Sequence, residues 1–445
     1  MTLRTAMIAC ALILSACQSG STEQVPRSAL FANAFGHLGT ENVGGPTPVS
    51  SSPFFQDLGA NGRHCDTCHP PASAWTLTPR DVQSRFEASA GTDPVFRTVD
   101  GSGCSNQDVR TEAARRVAYQ LLLNKALIRI ELPVSQDAEF YVEASDNPYG
   151  CNDTMAVSVY RRPLPATNLA FLSMVMWDGR ETTDGAPIAM DLEHQALDAT
   201  NGHAQAQTPL TSDEQGDIVD FETRLYSAQS DFNSAGALGN ECDGGPQKLS
   251  ATQFYLGIND PFGRNPTGAP FNPVIFDLYG YWDNETNPTR AAIARGQKIF
   301  NSRPIVITQV AGLNDVVGQP TITGTCGTCH DTPNAGSQSL PMPMDLGLSG
   351  SGARTPDLPL LTLVNKTTGE KVQVSDPGRA LISGKWADLG KFKSPTLRGL
   401  ASRAPYFHNG SAATLAEVVG FYEVRFNMQL TAQDKADLAA FLAAL

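Results

Sequence analysis

Apolar residues recur along this chain with two different periods. Near the C-terminus Leu438, Phe441, Leu442 and Leu445 lie three and four apart, which predicts one buried face of a helix over 431–445. Thr431 and Asp434 supply a capping pair at its start. A second start signal is Thr78-Pro79-Arg80-Asp81, with a capping Thr, Pro at the first helical position and an acid at the third. Helical spacing also predicts elements over 111–125 and 212–229, and a helix capped by Thr289 that runs through Phe300. Between 126 and 162 the period drops to two. Leu127–Leu132, Phe140–Val142 and Val157–Tyr160 read as short strands separated by Asp, Asn, Gly and Pro turns. Residues 230–288 are rich in Gly, Asn and Pro and read as loop. The pattern predicts a mainly α chain with a small β insertion.

The N-terminus carries targeting signals rather than fold. Arg4 precedes an apolar stretch, Ala6 to Leu14, too short to span a membrane. It ends in Leu14-Ser15-Ala16-Cys17, the form of a lipoprotein processing box, so residues 1–17 read as a signal with lipidation at Cys17. Gln18 stands where an inner-membrane lipoprotein would often carry Asp, which favours the outer membrane. An ordinary secretory signal is the alternative. Residues 18–50, rich in Ser, Gly, Thr and Pro, read as a flexible tether. Either way the chain is expected in the periplasm, with any membrane contact made only through the lipid.

Two pentapeptides, Cys65-Asp66-Thr67-Cys68-His69 and Cys326-Gly327-Thr328-Cys329-His330, carry the chemistry. Each is C-x-x-C-H, the attachment signature of a c-type haem. The paired thiols can bond the two vinyl groups of a porphyrin, and the histidine follows as proximal iron ligand. A zinc site would want further Cys/His clusters nearby, and none follows either motif. The expectation is two covalently bound haems c on two cytochrome c-like domains, 51–288 (with the β insertion) and 289–445. With 445 residues and 41% apolar content, two cores are attainable. A net charge of −13 excludes nucleic acid and anionic membrane surfaces as partners. Of nine cysteines, Cys104, Cys151 and Cys242 remain unassigned. Cys104 and Cys151, both in polar turns, are the expected disulfide, which leaves Cys242 as a free thiol.

Three further segments accompany the haem motifs: Met176-Trp177-Asp178-Gly179-Arg180, Phe392-Lys393-Ser394-Pro395-Thr396-Leu397-Arg398, and Ala404-Pro405-Tyr406-Phe407-His408-Asn409-Gly410. Together they resemble the bacterial di-haem cytochrome c peroxidase superfamily, which includes the MauG enzymes. The resemblance covers about 160–205 and 291–445. It is thin in the β insertion and in 230–288, and the 261 residues between the haem motifs are long for the family.

What the resemblance implies falls on particular residues. The haem at Cys65, Cys68 and His69 would react with hydrogen peroxide, and that at Cys326, Cys329 and His330 would be its electron partner. Trp177 would relay electrons between them. Fourteen residues after His408 stands Tyr422, a hard anionic donor to the second iron where family peroxidases carry Met; Met428 is the competing ligand. Gln195 matches the family's distal Gln, but Gln205 stands where an acid is expected. His203 is the nearest titratable substitute, ahead of His194 and Glu193. His37 and His64 are spare histidines that could gate the first haem. Arg398 suits a haem propionate. Calcium, which the family holds through two carbonyls and an Asn, would find carbonyls at Arg403 and Pro405 but Pro163 in place of the Asn, and is unsupported. Electrons would come from a small redox protein or from a protein substrate being oxidised. The rival from another class is a non-catalytic periplasmic di-haem electron-transfer cytochrome.

Overall fold

The computed structural model describes residues 23–445. The signal segment and Cys17 lie outside the described residues. Three helix starts form for the expected reason. Thr78 accepts from the Asp81 amide ahead of helix Pro79–Ser89, Thr111 caps Glu112–Ala118, and the Thr431/Asp434 capping box opens Ala432–Ala443. Leu438, Phe441, Leu442 and Leu445 are all buried. The helix expected from Thr289 instead starts one turn position earlier. Asn287 accepts from the Thr289 and Arg290 amides and Pro288 fills the first position, giving helix Pro288–Ser302. This helix packs against Ala432–Ala443 with the backbones in close approach at Gly296, where a Cβ would lie 2.1 Å from the Asp437 carbonyl oxygen.

The expectation of a mainly α chain is corrected. The structure is 30% helix and 17% strand, with the strands spread over several small sheets. Much of the unexpected strand lies where a tether was expected. Ser28–Asn33 pairs antiparallel with Gly36–Asn42, which pairs in turn with Leu225–Phe232. Glu41 accepts from Arg27 and Ser28, and Asn33 bonds Gln229 and Ser402, so polar side chains hold this sheet where apolar alternation is weak. The element expected over 212–229 is a helix only as far as Ser212–Thr223, and the remainder is that third strand.

The three strands expected between 126 and 162 exist, but they do not form a self-contained insertion. Ile128–Pro133 pairs with Ala156–Arg161, while Phe140–Asp146 pairs with Leu360–Asn365 from the far end of the chain. Near-complete alternation in Phe140–Asp146 buries Phe140 and Val142 against Leu361 and Leu363. Cys104 and Cys151 are joined as a disulfide, and Cys242 is buried and free.

One buried charge cluster ties these long-range elements together. Arg161, at the end of its strand, grips Asp376 in bidentate fashion at 2.7 and 2.9 Å, and its other amine bonds Asp178. All three side chains are essentially inaccessible. Asp178 also accepts from Arg180 at 3.2 Å. Replacing Arg161 by Met leaves two carboxylates buried without their cation. The expected loss is about 3–5 kcal/mol of unfolding free energy, measured by denaturant titration; a loss near zero would show that the cluster is not structural.

Candidate functional site

The two C-x-x-C-H motifs fold into the same turn. In each, a 3₁₀ turn spans the first three residues, Cys65–Thr67 and Cys326–Thr328. The Thr hydroxyl accepts from the amide three residues earlier, at 3.1 Å in both. The histidine amide bonds the first cysteine's carbonyl, again at 3.1 Å in both. Each imidazole is oriented alike: Nδ1 lies 2.9 Å from the Trp75 carbonyl in His69 and 2.7 Å from the Gly336 carbonyl in His330. A carbonyl can only accept, so Nδ1 carries the proton and Nε2 keeps its lone pair for a metal. Burial lowers the pKa of both imidazoles, keeping them neutral. The four cysteines are free thiols, and burial pushes Cys326 and Cys329 up to about 12.

Each turn opens onto a large cavity. The first has a cavity volume of about 180 Å³, and His69, Cys65 and Cys68 are on its wall. Gln195 and His203 line it too, brought there by helix Ile188–Gly202 and its C-cap. His203 Nδ1 lies 2.6 Å from Asp100 Oδ2, which accepts from Arg63 Nη1 at 2.7 Å; Asp100 and Arg63 also line the cavity. Burial would raise the Asp100 carboxyl, but the Arg63 charge and the His203 hydrogen bond outweigh it and hold it below the ordinary value. Asp100 is therefore anionic at neutral pH and accepts from His203 Nδ1, which leaves the Nε2 lone pair free. The His203 carbonyl is itself fixed by Asn61 and Arg63. Gly59 lets that loop close: a Cβ there would lie 2.0 Å from the Ala204 carbonyl oxygen. Glu222 faces the same cavity with no charge partner, and burial pushes its carboxyl up to about 8.

The second cavity, about 180 Å³, is almost wholly apolar. His330, Cys326 and Cys329 line it together with Tyr422, Met428, His408 and Trp177. Burial holds the Tyr422 phenol above its ordinary pKa and drops the His408 imidazole to about 4. His408 stacks on Phe392 with ring centroids 3.9 Å apart, and its Nε2 has no hydrogen-bond partner. Trp177 Nε1 donates to the Arg162 carbonyl at 2.8 Å, and its neighbour Met176 lines the first cavity. Lys393 and Pro395 line both cavities, so this segment is the partition between them.

No family model matches the chain. Curated relatives do. The cytochrome-c peroxidase IdrP1 of Pseudomonas sp. (strain SCT) is 34% identical over 192 residues, 39% of this chain and 44% of that protein. The cytochrome c551 peroxidase of Nitrosomonas europaea is 38% identical over 69 residues, 15% of this chain and 21% of that protein. The chain is similar, over part of its length, to cytochrome-c peroxidases. It matches less than half the length of these relatives. A solved MauG-like protein associated with microbial copper homeostasis aligns over 88% of this chain and 85% of its own at 18% identity, with a TM-score of 0.39.

Similarity to cytochrome-c peroxidases implies c-type haem, and the residues present fit it. Two like-folded thiol pairs, two imidazoles with a free Nε2 and two large cavities supply what a covalent porphyrin requires. Other expected residues fall elsewhere. Arg398 lines neither cavity; it is buried, with Nη1 on the Asn334 carbonyl at 3.1 Å and Nε and Nη2 unpartnered. His37 is exposed and pairs with Asp231, whereas His64 lines the first cavity and bonds Asp66. His194 bonds Glu181 at 2.7 Å at the surface, and the Gln205 side chain bonds Asn61. Of the expected calcium donors, the Arg403 carbonyl accepts from Arg162 Nη2 at 2.9 Å, so a guanidinium already faces it.

Asp100, Arg63, Glu222 and Lys393 went unnoticed as functional residues in the sequence. Only Glu222 left a readable signal, because it stands four residues after Ile218 on the apolar face of its helix. Its ordinary value is 4.5, so between about pH 4.5 and 8 the folded protein keeps a proton that the unfolded chain has released. Stability must therefore fall as pH rises through that window and level off above it. Denaturation midpoints across pH 5–9 should show this slope in the wild type and a flatter profile in Glu222→Gln. Identical slopes would mean that Glu222 is ionised in the fold.

Proposed function

We propose that this chain is an exported di-haem oxidoreductase that reduces hydrogen peroxide in the first cavity and draws electrons from the second. The arrangement that carries this reading is the Arg63–Asp100–His203 chain beside Gln195, on the wall that also holds His69. A pure electron carrier has no use for a polarised imidazole and an amide aimed into its haem cavity. Bound through Cys65, Cys68 and His69, a c-type haem supplies the iron that delivers electrons to the peroxide O–O bond.

The protein's own part is proton handling. Reducing hydrogen peroxide to two waters consumes two electrons and two protons. His203 Nε2 would accept a proton from one peroxide oxygen and return it to the other. Asp100 stabilises the imidazolium formed in between, as its hydrogen bond to Nδ1 gains charge assistance. Gln195 orients the peroxide through its amide but carries no proton. Glu222, protonated near neutral pH, is a second proton source in the same wall.

In the second cavity Cys326 and Cys329 would hold a second haem, and His330 and Tyr422 would donate to its iron. Tyr422 is preferred to Met428 because its position follows His408 by the family's interval, and both side chains line the cavity. Trp177 relays electrons between the cavities. Its support is position: it lines the second cavity, its neighbour Met176 lines the first, and Asp178 anchors both in the buried charge cluster. The donor is a small redox protein or a protein residue undergoing oxidation. A periplasmic setting agrees with the Cys104–Cys151 disulfide, and anchoring at Cys17 remains part of this proposal.

His203→Ala should lower the rate of peroxide consumption by about 10²–10⁴-fold while haem content stays at two per chain, read by stopped-flow absorption and pyridine haemochrome assay. Wild-type rates in that variant would remove His203 from the mechanism. Tyr422→Phe should alter the EPR signal of one haem and leave the other unchanged. If both signals persist, Met428 becomes the ligand.

A further inference from the structure

Lys393 is a buried cation with no anion. The residue is 8% exposed, and among the described residues its ammonium has neither a hydrogen bond nor an ion pair. The charged group that acts on it is another cation, the buried Arg403 guanidinium. Burial and that repulsion together lower its pKa to about 7. Its backbone amide is fixed on the Trp177 carbonyl at 2.9 Å, which sets the side chain in the partition. The same side chain lines both cavities.

The walls offer it no counter-charge. The second cavity has no Asp or Glu in its lining, and Lys393 is the only Lys or Arg there among the described residues. In the first, Asp100 is already held by Arg63 and His203, and burial keeps Glu222 protonated. A charged ammonium is not retained in such surroundings without an anion to pair it. The occupant that the two C-x-x-C-H turns call for is a porphyrin, whose own anionic groups are its two propionate carboxylates.

We propose that Lys393 is a shared carboxylate-binding residue that pairs with a propionate of the haem in each cavity. This rests on the di-haem reading above. The ammonium has three donors, so two carboxylates can share it. Each propionate restores the charge balance that the fold lacks, and filling one cavity makes Lys393 a better-ionised partner for the other. Lys393 is a positioning residue: it orients the cofactors and sets the electrostatic field at both, rather than touching peroxide.

The test uses the mature holoprotein and the variants Lys393→Met and Lys393→Arg. Haem content per chain is measured first; a wild-type value below two would sink the di-haem reading itself. With two haems present, removal of a nearby positive charge should lower both midpoint potentials in Lys393→Met and shift the propionate bending bands in resonance Raman spectra. Lys393→Arg should restore the potentials toward wild type. A shift at one haem alone limits Lys393 to one cavity and overturns the sharing; no shift at either overturns the pairing. Should Lys393→Met not mature, Lys393→Arg decides. Two haems at near wild-type potentials support the charge requirement, and its failure to mature would assign Lys393 a packing role instead.

Discussion

The buried Arg161 guanidinium is the constraint on which the rest of the site depends. It draws Asp178 from the Trp177 segment and Asp376 from the C-terminal part of the chain onto one cation. Desolvating three charges is unfavourable unless their geometry is nearly complete, so the cluster tolerates little displacement of any member. Trp177 is next to one of them, and its indole is further fixed on the Arg162 carbonyl. The partition between the two cavities inherits its rigidity from these contacts.

Around that partition the protein separates two environments. The first cavity has a polar wall, where an anionic Asp100 polarises His203 and a neutral Glu222 holds a proton. The second has a mostly apolar wall with no carboxylate in it among the described residues, and burial keeps His408 uncharged. Under the proposed function the first serves proton-coupled chemistry and the second electron storage. The asymmetry lies in the walls, because the two haem-binding turns are nearly superimposable in their hydrogen bonds.

Local signals carried some elements and misled on others. Capping pairs at Thr78, Thr111 and Thr431 are decided within four residues, so they were legible. The sheet of Ser28–Asn33, Gly36–Asn42 and Leu225–Phe232 was not, because its strands are stabilised by partners almost two hundred residues away. Short polar strands of this kind look like linker until the partner strand is known. The same holds for Phe140–Asp146, whose alternation was visible but whose partner, Leu360–Asn365, was not.

By itself the sequence determined the two C-x-x-C-H turns, which form their own backbone hydrogen bonds and whose histidines are oriented by a carbonyl six residues further on. It also placed Trp177, Gln195, His203 and Tyr422 in recognisable surroundings. Only the tertiary structure decided that Asp100, far away in the chain, stands behind His203, that Arg398 lines neither cavity, and that Lys393 lines both. Those outcomes depend on burial and on which charge meets which across the fold. A linear pattern of residues does not encode such pairings, since the cost of an unpartnered charge exists only once the surrounding chain has excluded water.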